Sequence, residues 1–195
     1  MSWKKVWNFI WNDNSIWSWL LNVVIAFVLI KFILYPGLGL ILSTSHPLVA
    51  VVSSSMEQPQ GFDHFWKEQN QTYENLGITL ADFDTYPFKH GFNRGDIMVL
   101  KGKPIAEIEL GETMVFFANI EYPIIHRVVK KTFDNGAYYI QTKGDNNYKS
   151  IEAGPSNEMK IPENRIIGVA VAKIPYIGLI KVWSADAFNY LRGKK

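Results

Sequence analysis

This 195-residue chain contains no cysteine. A disulfide framework, a catalytic thiol and a thiolate metal site are thereby excluded, so an extracytoplasmic domain would have to be held together by packing. Charge bias is missing too: 20 basic and 18 acidic residues leave a formal net charge of +2, spread along the chain without blocks. That distribution carries no nucleic-acid footprint. Neither an internal repeat nor a low-complexity tract occurs. Long apolar runs are equally scarce, with one exception near the N-terminus. The rest of the chain suffices for one domain of about 150 residues and leaves no room for a second.

The exception is Ile16 to Tyr35, interrupted only by Ser18, Asn22 and Lys31. About 20 residues at 1.5 Å each match the ~30 Å hydrocarbon thickness of a bilayer. The run is longer than a signal-peptide h-region and has no clean small-residue cleavage site, so it predicts a transmembrane anchor over residues 16–42. Trp17, Trp19 and Tyr35 sit at its ends, and Lys31 is near enough to one end to snorkel. In the preceding residues 1–15, Trp3, Val6, Trp7, Ile10 and Trp11 gather on one side of a helix, which predicts a short cytoplasmic or interfacial amphipathic segment. Lys4 and Lys5 flank the anchor on one side, and no Lys or Arg follows it until Lys67. The positive-inside rule then puts the remainder outside the cytoplasm.

Residues 43–195 read as mainly β. Six short β-branched or aromatic runs, Leu48–Val52, Ile97–Leu100, Met114–Phe117, Ile124–Val129, Ala137–Thr142 and Ile166–Ala172, are separated by Gly, Pro, Asn and Asp. They predict a small β-barrel or sandwich-like domain. Residues 60–93 break the pattern and read as a surface insertion. The tail from Tyr176 to Lys195 reads as an amphipathic helix packed on the domain.

Three segments carry chemistry: Ser53-Ser54-Ser55-Met56 just beyond the anchor, His126-Arg127-Val128, and Lys143-Gly144-Asp145-Asn146-Asn147. A hydroxyl, an imidazole and a carboxylate in that order are a nucleophile, its base and the group that orients the base. Taken singly, each segment is more often a polar turn or a packed core residue than a site; their joint order is the signal. One register argument sharpens it. Asn135-Gly136 predicts a two-residue type I′ turn in which Asp134 faces Ala137. Counting back along both strands brings His126 opposite Asp145, where the two side chains share a face. A single bulge would break that pairing. His46, His64 and His90 read as surface or loop residues, since His64, Asp63 and His90 have no recognised ligand spacing and no metal or other cofactor is called for.

The chain resembles type I signal peptidases of the archaeal and endoplasmic-reticulum kind, over nearly all of its length after the anchor. The residues that carry the resemblance are Ser53 to Pro59, Arg94-Gly95-Asp96-Ile97, His126-Arg127-Val128 and Lys143 to Asn147, in that order behind one membrane segment. It implies Ser55 as nucleophile, His126 as base, and the Ser53 hydroxyl beside the Ser55 N–H in an oxyanion hole. Three departures stand out. Ser54 replaces the family's glycine and would crowd a tight turn. Gln58 stands where proline is expected, with Pro59 one place later. Ile151 occupies the place of a further aspartate, which leaves Glu152 as a rival to Asp145 for orienting His126.

The implied activity is a membrane-bound serine endopeptidase that removes N-terminal signal peptides from preproteins through an acyl-enzyme. Its partners would be signal peptides, the lipid bilayer and accessory peptidase or secretion-channel subunits. Its place would be a cell membrane, with the domain on the outer face, or the endoplasmic-reticulum membrane, with the domain in the lumen. Two alternatives remain. One is a catalytically impaired, membrane-anchored peptide-binding module of the same fold; the other is a Ser–Lys peptidase using Lys130 or Lys131.

Overall fold

A computed structural model describes residues 2–118 and 123–177. Helix α1 (Trp3–Asn12) ends at Asp13, whose carboxylate accepts the Ser15 N–H, and Ser15 in turn caps α2 (Ile16–Leu29). A π-helical stretch, Ile30–Leu34, joins α2 to α3 (Tyr35–Ile41). Ile16–Ile41 is thus a helix of 26 residues with mean hydropathy 2.3, about 39 Å long at 1.5 Å per residue and long enough to cross a bilayer. The first two helices are tied together: Ser18 Oγ donates to the Phe9 carbonyl and Asn22 Nδ2 to the Ile10 carbonyl. This gives Ser18 and Asn22, two of the three polar residues of the apolar run, partners outside their own helix.

The domain beyond is mainly β, a curled six-stranded antiparallel half-barrel. Its strands are β1 (Leu48–Ala50), β2 (Ile97–Lys101), β3 (Thr113–Phe116), β4 (Ile124–Asp134), β5 (Ala137–Lys143) and β6 (Ile166–Ile174), in spatial order β1-β2-β6-β3-β4-β5. Each expected strand is found. Asn135 and Gly136 both adopt positive φ, +50° and +81°, as the type I′ turn requires. Bulges interrupt the ladders at Val99/Leu100, Val115/Phe116 and Val128/Lys130 and help the sheet curl. Both faces of its centre are covered, and alternation along β3 shows how: Val115 packs with Val51, Met56 and Ile125, while Met114 and Phe116 pack with Val128, Ile140 and Val169.

Between β1 and β2 lie α4 (Phe62–Glu74) and α5 (Leu80–Asp84), the latter started by a Thr79–Asp82 capping box. Phe65, Tyr73, Ile78 and Phe83 form a buried aromatic cluster against Val129 of β4. This segment therefore carries a core of its own. Its sequence shows no clear apolar period because the stripe that α4 buries, Phe65, Gln69 and Tyr73 at a spacing of four, includes a polar residue. The expected tail helix from Tyr176 to Lys195 lies, from residue 178 onward, outside the described residues.

Candidate active site

The Arg-Gly-Asp-Ile turn docks the segment leading to the serines. Val51 N–H donates to the Asp96 carbonyl and Gly95 N–H to the Val51 carbonyl, at 2.8 and 2.9 Å, and Met56 is buried just beyond. Between these anchors Ser55 projects towards β4. Its Oγ lies 2.9 Å from His126 Nε2, and Ser53 Oγ lies 3.1 Å from Ser55 Oγ. The structure thus brings together Ser53, Ser55 and His126. Ser54 is exposed and is not among the described non-glycine residues with positive φ, so the turn accommodates its side chain without the strain expected of it. Gln58 donates from Nε2 to the Lys89 carbonyl at 2.8 Å, tying the residue in the expected proline's place to the end of the helical insertion.

The expected pairing of His126 with Asp145 does not form. Pairing runs as counted from Asp134–Ala137 to Lys130–Gln141, and then the bulge at Val129 shifts the register so that Val128 faces Thr142 and Arg127 faces Lys143. Asp145, one residue past the end of the count, turns instead to Arg127. Arg127 Nε and Nη2 donate to Asp145 Oδ1 and Oδ2 at 2.8 and 2.7 Å, and the Tyr73 hydroxyl donates to Oδ1 at 2.8 Å. The other guanidinium protons go to the carbonyls of Pro87, Gly111 and Phe88, and Phe83 lies 4.7 Å below. All three side chains are buried. Burial works against the Arg127 charge, but Asp145 outweighs it and raises the guanidinium's affinity for its proton. Burial and then Asp145 also push the Tyr73 phenol well above its usual range. Asp145 is therefore the counter-ion of a buried arginine that clamps the helical insertion to the sheet.

Glu152 does not reach the imidazole either. It is exposed and lies 3.4 Å from Lys149. The carboxylate on His126 Nδ1 is Glu158, which the sequence reading missed. The chain after β5 folds back along that strand's outer edge, where the Thr142 N–H reaches the Glu158 carbonyl and Ile140 pairs with Ile161. Glu158 Oε1 also accepts from Thr142 Oγ1, and Oε2 from the Ile151 N–H, both at 2.8 Å. Glu158 is fully buried. No residue spacing distinguishes it from Glu152 or Glu163; only the return along β5 does. Since a carboxylate only accepts, it holds the neutral imidazole as the Nδ1–H tautomer, leaving Nε2 as acceptor for the Ser55 hydroxyl.

The turn after β5 completes the site. Asn146 N–H donates to the Ser55 carbonyl at 2.8 Å and Asn146 Nδ2 to the Ser54 carbonyl at 3.2 Å. Gly144 has no room for a side chain: a Cβ there would stand 2.8 Å from the Ser55 carbonyl oxygen and 2.9 Å from His126 Nε2. A cleft of about 340 Å³ opens beside Ser55, between β1 and the start of β4, lined by Val49, Val52, Ser53, Ile124 and Ile151 among others. Among the described residues strand β1 is an edge of the sheet, paired only with β2. Lys131 donates to the Ala106 and Ile108 carbonyls and Lys130 is exposed, so neither takes the base position. Among the described residues no group of three His, Asp or Glu side chains is placed to hold a metal ion.

No protein-family model matches the chain. Curated proteins do. It is 27% identical over 154 residues to the signal peptidase complex catalytic subunit SEC11 of Fusarium vanettenii, covering 77% of this chain and 71% of that one. It is 28% identical over 174 residues to SEC11 of Colletotrichum graminicola (88% and 82%), and 28% over 158 residues to sec11 of Schizosaccharomyces pombe (78% and 74%). The chain is similar to signal peptidase catalytic subunits, as its motifs suggested.

Proposed function

We propose that this chain is a membrane-bound serine endopeptidase that removes signal peptides from secreted preproteins. The observation that carries the reading is the hydrogen-bonded line from Ser55 through His126 to Glu158, set on the wall of a cleft beyond a helix long enough to span a membrane. His126 takes the Ser55 proton as Oγ attacks the scissile carbonyl, then passes it to the leaving amine, and water hydrolyses the acyl-enzyme by the reverse proton path. Glu158 orients the imidazole and stabilises its charged form. The Ser55 N–H and the Ser53 hydroxyl are the oxyanion donors, each worth roughly 3–4 kcal/mol of barrier.

A signal peptide's cleavage region, with small residues in an Ala-x-Ala-like pattern, would lie extended along the free edge of β1, its small side chains entering the adjoining cleft. The anchor would hold Ser55 close to the face of the membrane away from the cytoplasm, as the lysines at its N-terminal side favour, which is the lumenal face in an endoplasmic-reticulum membrane. The relatives are named as subunits of a complex, which supports accessory subunits here. The test is cleavage of labelled preproteins by the detergent-solubilised chain beside Ser55→Ala and His126→Ala. Mature-size product from wild type alone is expected. A folded wild type that cuts none of several preproteins refutes the activity and leaves a peptide-binding module.

A further inference from the structure

Lys143 is buried, charged and uninvolved in the proton path just described. Its Nζ lies 4.5 Å from the centre of the Tyr73 ring. It also lies within hydrogen-bond distance of the carbonyls of Gly144 (2.9 Å), Asp145 (3.3 Å) and Asn147 (2.7 Å), and of Gln69 Oε1 (3.3 Å). Three of these four oxygens belong to the turn after β5, and the fourth belongs to α4. The same turn holds the Ser54 and Ser55 carbonyls through Asn146 and approaches His126 at Gly144. One ammonium group thus gathers the backbone on which the nucleophile rests. Its neutral form has only two protons for four acceptors and much weaker bonds to each.

We propose that Lys143 is a positioning residue: its protonated amine holds the Gly144–Asn147 turn, and through it Ser55, in attacking geometry, and loss of that proton lowers turnover without unfolding the domain. This rests on the peptidase reading above. The ionisable groups facing it are Asp145 from the turn, Arg127 from β4, Tyr73 from α4 and Glu158 from the returning segment. Burial lowers the amine from 10.5 to about 8; Asp145 and Glu158 favour its charge and Arg127 opposes it. Because the folded value lies below the unfolded one, the folded state binds fewer protons between about 8 and 10.5, and this group's contribution to stability rises with pH there. Activity is expected to fall as that rise begins. General loosening would lower both.

The experiment is preprotein cleavage by the full-length chain from about pH 6.5 to 9.5, with thermal unfolding measured alongside, for wild type, Gln69→Glu and Lys143→Met. Wild-type kcat should decline with a midpoint near 8, with KM unchanged and the unfolding temperature not falling. Gln69→Glu places a carboxylate where the amide oxygen was and should move that midpoint up by about one pH unit or more. Lys143→Met, if folded, should lose roughly tenfold in kcat and show no alkaline decline. A flat wild-type profile, a midpoint unmoved in Gln69→Glu, or an alkaline decline persisting in folded Lys143→Met would each overturn the inference. If Lys143→Met does not fold, the wild-type and Gln69→Glu profiles decide it. A folded wild type that cuts no preprotein at any pH overturns the peptidase reading and this inference with it.

Discussion

Replacing Glu158 with glutamine separates the two accounts of the site most cleanly. Three donors converge on this carboxylate: His126 Nδ1–H and Thr142 Oγ1–H on Oε1, and the Ile151 N–H on Oε2. An amide cannot serve all three. If its oxygen stays on the Ile151 N–H, its NH2 group meets His126 Nδ1 and turns the imidazole into the Nε2–H tautomer, which presents a donor to Ser55 instead of a base. If it flips, the half-buried Ile151 N–H loses its acceptor at a cost of about 1 kcal/mol of stability. The first outcome preserves packing and removes general-base function. In serine triads that error costs about 10⁴ in kcat, so a 10³–10⁴-fold loss is expected here, equivalent to about 4–5.5 kcal/mol of barrier. The assay is kcat and KM on a labelled preprotein at matched thermal stability, with KM expected to hold. Glu158→Gln that folds and keeps more than a tenth of wild-type turnover refutes the assignment, and doubly so if Asp145→Asn at full fold is the variant that fails.

Asp145→Ala strands a buried arginine and is expected to cost roughly 3–5 kcal/mol, about 10 °C or more in unfolding temperature for a domain of this size, read by thermal melting. Gly144→Ala is expected to lower kcat by about 10²-fold with a modest change in melting, because its Cβ displaces the Ser55 carbonyl and the imidazole together. Gly136→Val strains a positive-φ turn far from Ser55 and is expected to reduce stability by about 1–2 kcal/mol while leaving preprotein cleavage intact. A serine-directed covalent probe should label wild type and not Ser55→Ala, and labelling of folded Glu158→Gln should be slowed in step with its turnover.

Most of the architecture was legible because it rests on local periodicity. One apolar run gave the long N-terminal helix, six β-branched runs gave six strands, and Asn135-Gly136 gave a turn whose positive φ values are observed. Ser55 and His126 were legible for a different reason, the order of short motifs, and their contact depends on nothing finer than β4 lying beside the serine segment. The third member was not legible because it depends on register. A bulge at Val129 moves β5 by one residue, and in a pleated strand one residue is the difference between the two faces. His126 and Arg127, neighbours in sequence, therefore point apart and take different acids, Glu158 and Asp145. Both carboxylates are buried and both are paired, so burial alone could not have told the orienting acid from the structural one. What separates them is the partner. A permanently charged guanidinium makes its acid part of the scaffold, whereas in the proposed mechanism an imidazole whose other nitrogen meets a serine hydroxyl would make its acid part of a proton path. The same distinction explains why Gln69 and Tyr73, on an aperiodic stretch of sequence, lie behind the turn that carries Asp145: the insertion supplies polar ends for charges that the sheet alone cannot satisfy.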